Sequence, residues 1–230
     1  MCGIVGYAGR KNVIKNIMTG LKSLEYRGYD SAGIAYIENG EITILKKAGP
    51  IKNLDKVLNY DSAASLGISH TRWATHGGAN DTNAHPHKQG KITLVHNGII
   101  ENYDVLKKEL EEKNYIFKSE TDTEVAAAYI DYLYNSEKEM VKVLSKITDI
   151  FKGSYAFNII NEDEPDTIYG IRKDSPLIVG VSEDNGNMLA SDIPAILHVT
   201  NKYVVLNKYD IVVLKENSIK YYDIYIYDTV

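Results

Sequence analysis

The chain has 230 residues, a formal net charge of −5 and an apolar share of 44%. These totals suit one globular domain with a substantial core, and they give no reason to expect nucleic acid or an anionic membrane surface as a partner. No apolar run is long enough to cross a bilayer and no secretory signal is evident. The single cysteine, Cys2, cannot close an internal disulfide, which fits a reducing cytoplasm.

In chain order, the opening GIVGYA predicts a strand over Gly3–Ala8. A helix is expected from Asn12 to Glu25. Val13, Ile14, Ile17, Met18, Leu21 and Leu24 recur there at helical spacing, with Asn12 as N-cap. Strands over Ala32–Glu38 and Glu41–Lys47 flank Asn39-Gly40, the pair favoured in tight hairpins. A short helix near Leu54–Leu58 and a strand over Ser65–His70 follow. HTRWATHGGANDTNAHPHKQG then reads as a long polar loop.

Lys91–His96 predicts a strand ending at Asn97-Gly98. Asn102 is placed to cap a helix through Leu106 and Leu110. Thr121 and Glu124 form a capping box at the head of the next helix, and another fits Glu137–Ile147. Strands are then expected over Tyr155–Ile160, Thr167–Arg172, Leu177–Val181, Tyr203–Leu206, Ile211–Leu214 and Ile219–Tyr227. Strands grouped in hairpins favour antiparallel sheets over a doubly wound one, and two such sheets with helices on their outer faces would use these elements. Neither a repeat nor a linker divides residues 1–230.

Cys2 stands directly behind the initiator methionine. Removal of Met1 would give one residue a thiol and a free α-amine, whose reference pKa values of about 8.5 and about 7.7–8.0 are closely matched. The amine can then take the thiol proton without help from a histidine. Retention of Met1 would leave an amide nitrogen in its place and no base. A buried apolar cysteine at a strand start is the competing reading, although Gly3 and Gly6 leave the neighbouring backbone uncovered.

Arg72 at a strand end can hold a carboxylate with two parallel hydrogen bonds, or form a surface ion pair. Asn97 and Gly98 can jointly face an oxyanion, or make a plain turn. Asp122, in a first helical turn, can answer the helix dipole or hold an ammonium group. His70, His76, His85, His87 and His96 lie close in sequence. They leave a metal site open beside a structural role, but no carboxylate or thiol stands near them at familiar metal spacing.

CGIVGYAG, LEYRGYDSAG, HTRWATHG, NAHPH, VHNGIIEN and SETDTE, in this order, resemble class II glutamine amidotransferases, which are N-terminal nucleophile hydrolases. YRGYDSAG and HTRWATHG are more similar to the glutaminase domains of glutamine–fructose-6-phosphate aminotransferases than to amidophosphoribosyltransferases. The resemblance covers essentially the whole chain. It implies an α+β fold, a four-layer αββα sandwich of two antiparallel sheets. It also implies Cys2 as nucleophile, Asn97 and Gly98 as the oxyanion hole, Arg72 on the glutamine α-carboxylate and Asp122 on its α-ammonium. Trp73, Thr75 and His76 would border the substrate, with Arg27 and His85 near the site.

Neither metal nor other cofactor is expected. The partners implied are L-glutamine and two sugar-isomerase domains that this chain lacks, in a full-length homodimeric enzyme of amino sugar biosynthesis. Other readings are the glutaminase domain of another class II amidotransferase, a non-catalytic glutamine-binding module and a metal-binding domain.

Overall fold

The structure, a computed structural model, describes residues 2–74 and 77–223. Thirteen strands form two antiparallel sheets among the described residues. In the first sheet, β1 (Gly3–Ala8) lies between β10 (Asn187–Ala190) and β4 (Leu66–Arg72). Beyond β4 come β2 (Ser31–Glu38) and β3 (Glu41–Ala48), and beyond β10 come β9 (Ile178–Gly180) and β11 (Tyr203–Val205). The second sheet runs from β5 (His87–Gln89) through β6 (Ile92–Ile100), β7 (Gly153–Asn161), β8 (Ile168–Lys173) and β12 (Ile211–Lys215) to β13 (Ser218–Tyr222).

Alternate side chains of the central strands serve different layers. Val5 and Tyr7 face α1 (Val13–Lys22) and α2 (Ile51–Asp55), whereas Ile4 and Ala8 join the layer between the sheets. In β7, Tyr155, Phe157 and Ile159 face α3 (Tyr103–Glu111), α4 (Asp122–Glu137) and α5 (Met140–Ile150), and Ala156 and Ile160 point inward. Both faces of such strands are buried, so they read as near-continuous apolar runs rather than as alternating ones. The result is the expected αββα sandwich. No helix among the described residues is long and apolar enough to cross a membrane.

Local departures have local causes. Asn12 is left-handed, with φ 56°, and its side chain makes no cap bond, so α1 starts without the predicted N-cap; it ends at Lys22, before the predicted Glu25. Asn102 likewise makes no side-chain cap bond to α3. Thr121 Oγ1 does accept from Glu124 N, but the Glu124 carboxylate reaches Ser119 N and Lys118 N instead of closing the box on Thr121. β4 carries on through Arg72, and β5 falls inside the stretch expected to be loop. β6 continues past Asn97-Gly98, with Gly98 opposite Tyr155. β10 was not anticipated. The last predicted strand ends at Tyr222, and its continuation over 224–227 lies outside the described residues.

Candidate active site

Cys2 sits just before β1, and the antiparallel register pairs Gly3 with Thr71, which brings Cys2 beside the end of β4. Its Sγ accepts a hydrogen bond from Trp73 N at 3.3 Å, and the thiol lies 3.6 Å from Trp73 O. From the other sheet, Asn97 Nδ2 donates to Cys2 O at 2.9 Å. Burial pushes the Cys2 thiol above its ordinary pKa, while the Trp73 backbone hydrogen bond pulls the other way. A thiol in this position therefore needs a base to become a nucleophile.

Asn97 is buried, and its Oδ1 has no partner among the described residues. Nδ2 carries two hydrogens, and the carbonyl of Cys2 takes one. Gly98 follows with φ 131°, and a Cβ there would lie 2.1 Å from Ser154 O, so only glycine fits this turn of the strand. Arg72 is buried at the end of β4, where Nη2 donates to Gly77 O and Nη1 to Gly78 O, each at 3.2 Å. Asp122 opens α4, and its Oδ2 accepts from Ile100 N at 2.8 Å and stands 3.8 Å from His96 Nδ1.

One small cavity brings Cys2, Arg72, Trp73, Gly98 and Asp122 together with His85. It holds about 20 Å³, roughly the space of one water. A more apolar hollow of about 250 Å³ opens on the other side of Cys2 and is lined by Arg27, Trp73, Asn97 and Ile99 among others. Arg27 reaches this mouth but is engaged by Asp192, with Nη2 2.5 Å from its Oδ2. Trp73 is half exposed and packs edge-on against Tyr29, with ring centroids 5.7 Å apart. Thr75 and His76 lie outside the described residues. A larger polar cleft between Arg10, Asn16 and Glu183 lies past the far end of β1, away from Cys2.

His70, His85 and His87 form a buried row. His70 stacks on His85 with centroids 4.0 Å apart, and His85 meets His87 edge-on at 5.1 Å. His70 Nε2 pairs with His96 O at 3.0 Å, so in the neutral ring Nε2 carries the hydrogen. Burial pushes His70 down to about 3, and burial also holds His85 and His87 well below the usual imidazole range. Among the described residues no group of three or more His, Cys, Asp and Glu side chains is arranged to hold a metal ion.

Sequence reasoning passed over Asp30, whose carboxylate accepts from Ala74 N and whose N–H donates to Arg72 O at 3.1 Å. These bonds hold the chain as it leaves β4. The sequence signal was an aspartate just ahead of the first residue of β2, and its partners are main-chain atoms.

A family model described as the glutamine amidotransferase domain matches residues 70–198, more than half of the chain. The chain belongs to the glutamine amidotransferase domain family. It is 49% identical over 227 residues to the glutamine–fructose-6-phosphate aminotransferase (isomerizing) of Clostridium acetobutylicum, covering 96% of this chain and 36% of that protein. The corresponding enzyme of Caldanaerobacter subterraneus subsp. tengcongensis is 48% identical over 228 residues, covering 98% of this chain and 37% of the relative. The chain thus spans little more than a third of these relatives.

Among solved structures, the glutamine phosphoribosylpyrophosphate amidotransferase of B. subtilis superposes with a TM-score of 0.83 at 25% identity, over 97% of this chain and 49% of that one. This amidotransferase domain is therefore an enzymatic one, and its sandwich is that of the N-terminal nucleophile amidotransferases.

Proposed function

We propose that Cys2 is the nucleophile that hydrolyses the side-chain amide of L-glutamine, and that residues 1–230 belong to one glutaminase domain. The observation that carries this reading is the meeting around Cys2 of a buried guanidinium and a buried helix-opening carboxylate, which line one cavity with it, and of the Asn97-Gly98 pair, which bonds its carbonyl. Arg72 answers the α-carboxylate and Asp122 the α-ammonium, so one cation and one anion at fixed separation select the zwitterion.

Once Met1 is removed, the α-amine of Cys2 takes the thiol proton and the sulfur attacks the amide carbon. The oxyanion meets the second Nδ2 hydrogen of Asn97 and the Gly98 N–H, a pairing in which one donor is typically worth about 100- to 1000-fold in rate. The amine returns the proton to the leaving nitrogen, and ammonia departs. Water, deprotonated by the same amine, then opens the thioester to release glutamate and restore the thiol.

In the cavity as it stands, Arg72 spends its guanidinium on Gly77 O and Gly78 O, and there is room for about one water. Glutamine entry must therefore displace those loop carbonyls and take over their hydrogen bonds. Trp73 borders this entry and His85 backs it.

For the full-length protein we propose that ammonia passes to sugar-isomerase domains which convert fructose-6-phosphate to glucosamine-6-phosphate, in a homodimeric enzyme. The relatives' names support the fructose-6-phosphate reaction and their extra length supports further domains, while the homodimer rests on the family resemblance alone. Cys2→Ala should abolish glutamine hydrolysis while leaving the thermal melt unchanged. Intact mass should show Met1 removed, and a glutamine-like diazoketone should add one equivalent at Cys2. Normal turnover by Cys2→Ala would end the proposal.

A further inference from the structure

The two groups proposed to grip the ends of glutamine belong to different layers. Arg72 ends β4 of the first sheet, and Asp122 opens α4 over the second. Selecting a zwitterion requires their separation to be held. A hydrogen-bonded route between them runs through Asn83, in the loop before β5. Asn83 is 2% exposed. Its Nδ2 donates to Gly78 O at 3.1 Å and to Glu120 Oε2 at 3.0 Å, and its Oδ1 accepts from Glu120 N at 3.0 Å.

Gly78 O is also the acceptor of Arg72 Nη1. One carbonyl thus joins the guanidinium to the Asn83 amide, and that amide grips both the main chain and the side chain of Glu120, two residues before Asp122. A second arm leaves the same residue. The Asn83 main chain hydrogen-bonds to His87, and His87 Nε2 meets the hydroxyl of Thr121, the N-cap of α4, at 3.1 Å. Gly77 presses directly on this junction: its φ is +74°, and a Cβ there would lie 2.6 Å from Asn83 Nδ2 and 3.0 Å from Glu120 Cβ. The position needs two donors and an acceptor on one short side chain. Aspartate would lose both donors and set a like charge against Glu120.

We infer that Asn83 is a positioning residue for substrate recognition, fixing Arg72 relative to Asp122 without touching the reacting amide. The inference rests on the roles proposed above for those two residues. It gives Asn83 control over how tightly the α-carbon end of glutamine is held, and none over the sulfur's attack on a carbon that lacks that end.

The test is steady-state glutamine hydrolysis by wild type, Asn83→Ala and Glu120→Ala, with two labelling rates at Cys2. One label is a glutamine-shaped diazoketone below saturation, and the other is iodoacetamide, which carries neither α-substituent. For Asn83→Ala, KM for glutamine should rise about tenfold with kcat within about twofold, as for loss of one buried hydrogen-bonded link. Diazoketone labelling should slow by a similar factor while iodoacetamide labelling is unchanged.

Glu120 is exposed, so its truncation keeps the fold. It should raise KM less, and add little when combined with Asn83→Ala. Glu120→Ala decides the matter if Asn83→Ala does not fold. Equal losses in kcat and in iodoacetamide labelling, or an unchanged KM in the folded variants, would overturn the inference while the glutaminase reading stood. A wild-type chain inert toward both glutamine and the diazoketone would overturn that reading and this inference with it.

Discussion

Lowering the pH from 7.5 to 5.5 should destabilise this domain far more than an average protein of its size, because His70, His85 and His87 are buried in one contiguous stack. Burial is the first cause holding all three rings neutral, and Arg72 opposes charge on each of them. Lys46 adds to this at His87, and the imidazoles oppose one another's charge. Each folded pKa lies below the unfolded value, so the unfolded chain binds more protons as the pH falls through about 6.5, and stability is lost in that direction.

With an unfolded pKa of about 6.5, each imidazole costs about 1.4 kcal/mol between pH 7.5 and 5.5, and three cost about 4 kcal/mol. That is a large part of a typical stability of about 5–15 kcal/mol. Carboxylates, with unfolded values near 4, add little in this window. Urea titrations followed by circular dichroism at several pH values measure the effect, and the pH dependence should report uptake of about three protons on unfolding at its acidic end. His70→Gln should reduce that uptake by about one. A stability change under about 1 kcal/mol across the window, or stack imidazoles titrating near 6.5 in the folded protein by NMR, would refute the argument.

Two further outcomes follow from the site. Gly98→Ala must place a Cβ 2.1 Å from Ser154 O at a φ of +131°. It should lower the melting temperature, at a cost of about 2–4 kcal/mol, and cut kcat at least about 100-fold, and a wild-type melt would contradict it. Arg72→Lys keeps the charge but loses the paired donors now on Gly77 O and Gly78 O. KM for glutamine should rise about 10- to 100-fold with a smaller change in kcat, read from initial rates.

The sequence made the central strands legible because each is buried on both faces. GIVGYA and SYAFNII are apolar runs too short for helices, and they proved to be β1 and most of β7. What escaped had short-range reasons. β10 is the four residues NMLA after a turn-rich SEDNG, and it is a strand because it lies against β1. Asn97-Gly98 carries the composition of a hairpin turn. Gly98 instead takes a positive φ without leaving its register opposite Tyr155, so β6 runs on to Ile100. The helix caps misled where an asparagine had the right position but no hydrogen bond to make, as at Asn12 and Asn102.

At the site, Cys2, Arg72, Trp73, Asn97, Gly98 and Asp122 were legible as motif residues, and the fold brings all of them to the two hollows beside Cys2. Asp30 and Asn83 lie inside LEYRGYDSAG and NAHPH, but the sequence assigned them no role, because their partners include main-chain atoms of distant loops, and a pattern along the chain cannot show those. The histidine cluster left metal and structure open in the sequence, whereas the fold stacks His70 on His85 and sets His87 edge-on to His85.

The placement of the site follows from the sandwich itself. Cys2 is held from two sides: Trp73 N, at the end of the first sheet's β4, binds its sulfur, and Asn97 Nδ2, on the second sheet's β6, binds its carbonyl. A second bond between the sheets, from His70 Nε2 to His96 O, lies close by, since His70 is paired with Ile4 and His96 precedes Asn97. Both bonds need the sheets close together, and the residues facing each other between them include Gly6, Ala8, Ala35 and Ala156, which add little bulk. The distance from Cys2, the proposed nucleophile, to Asn97, a proposed oxyanion donor, is therefore fixed by the inter-sheet layer, not by any one loop. The imidazole of His70 must stay neutral and buried for that layer to hold. The same packing that makes the domain sensitive to acid therefore also keeps Asn97 in reach of Cys2.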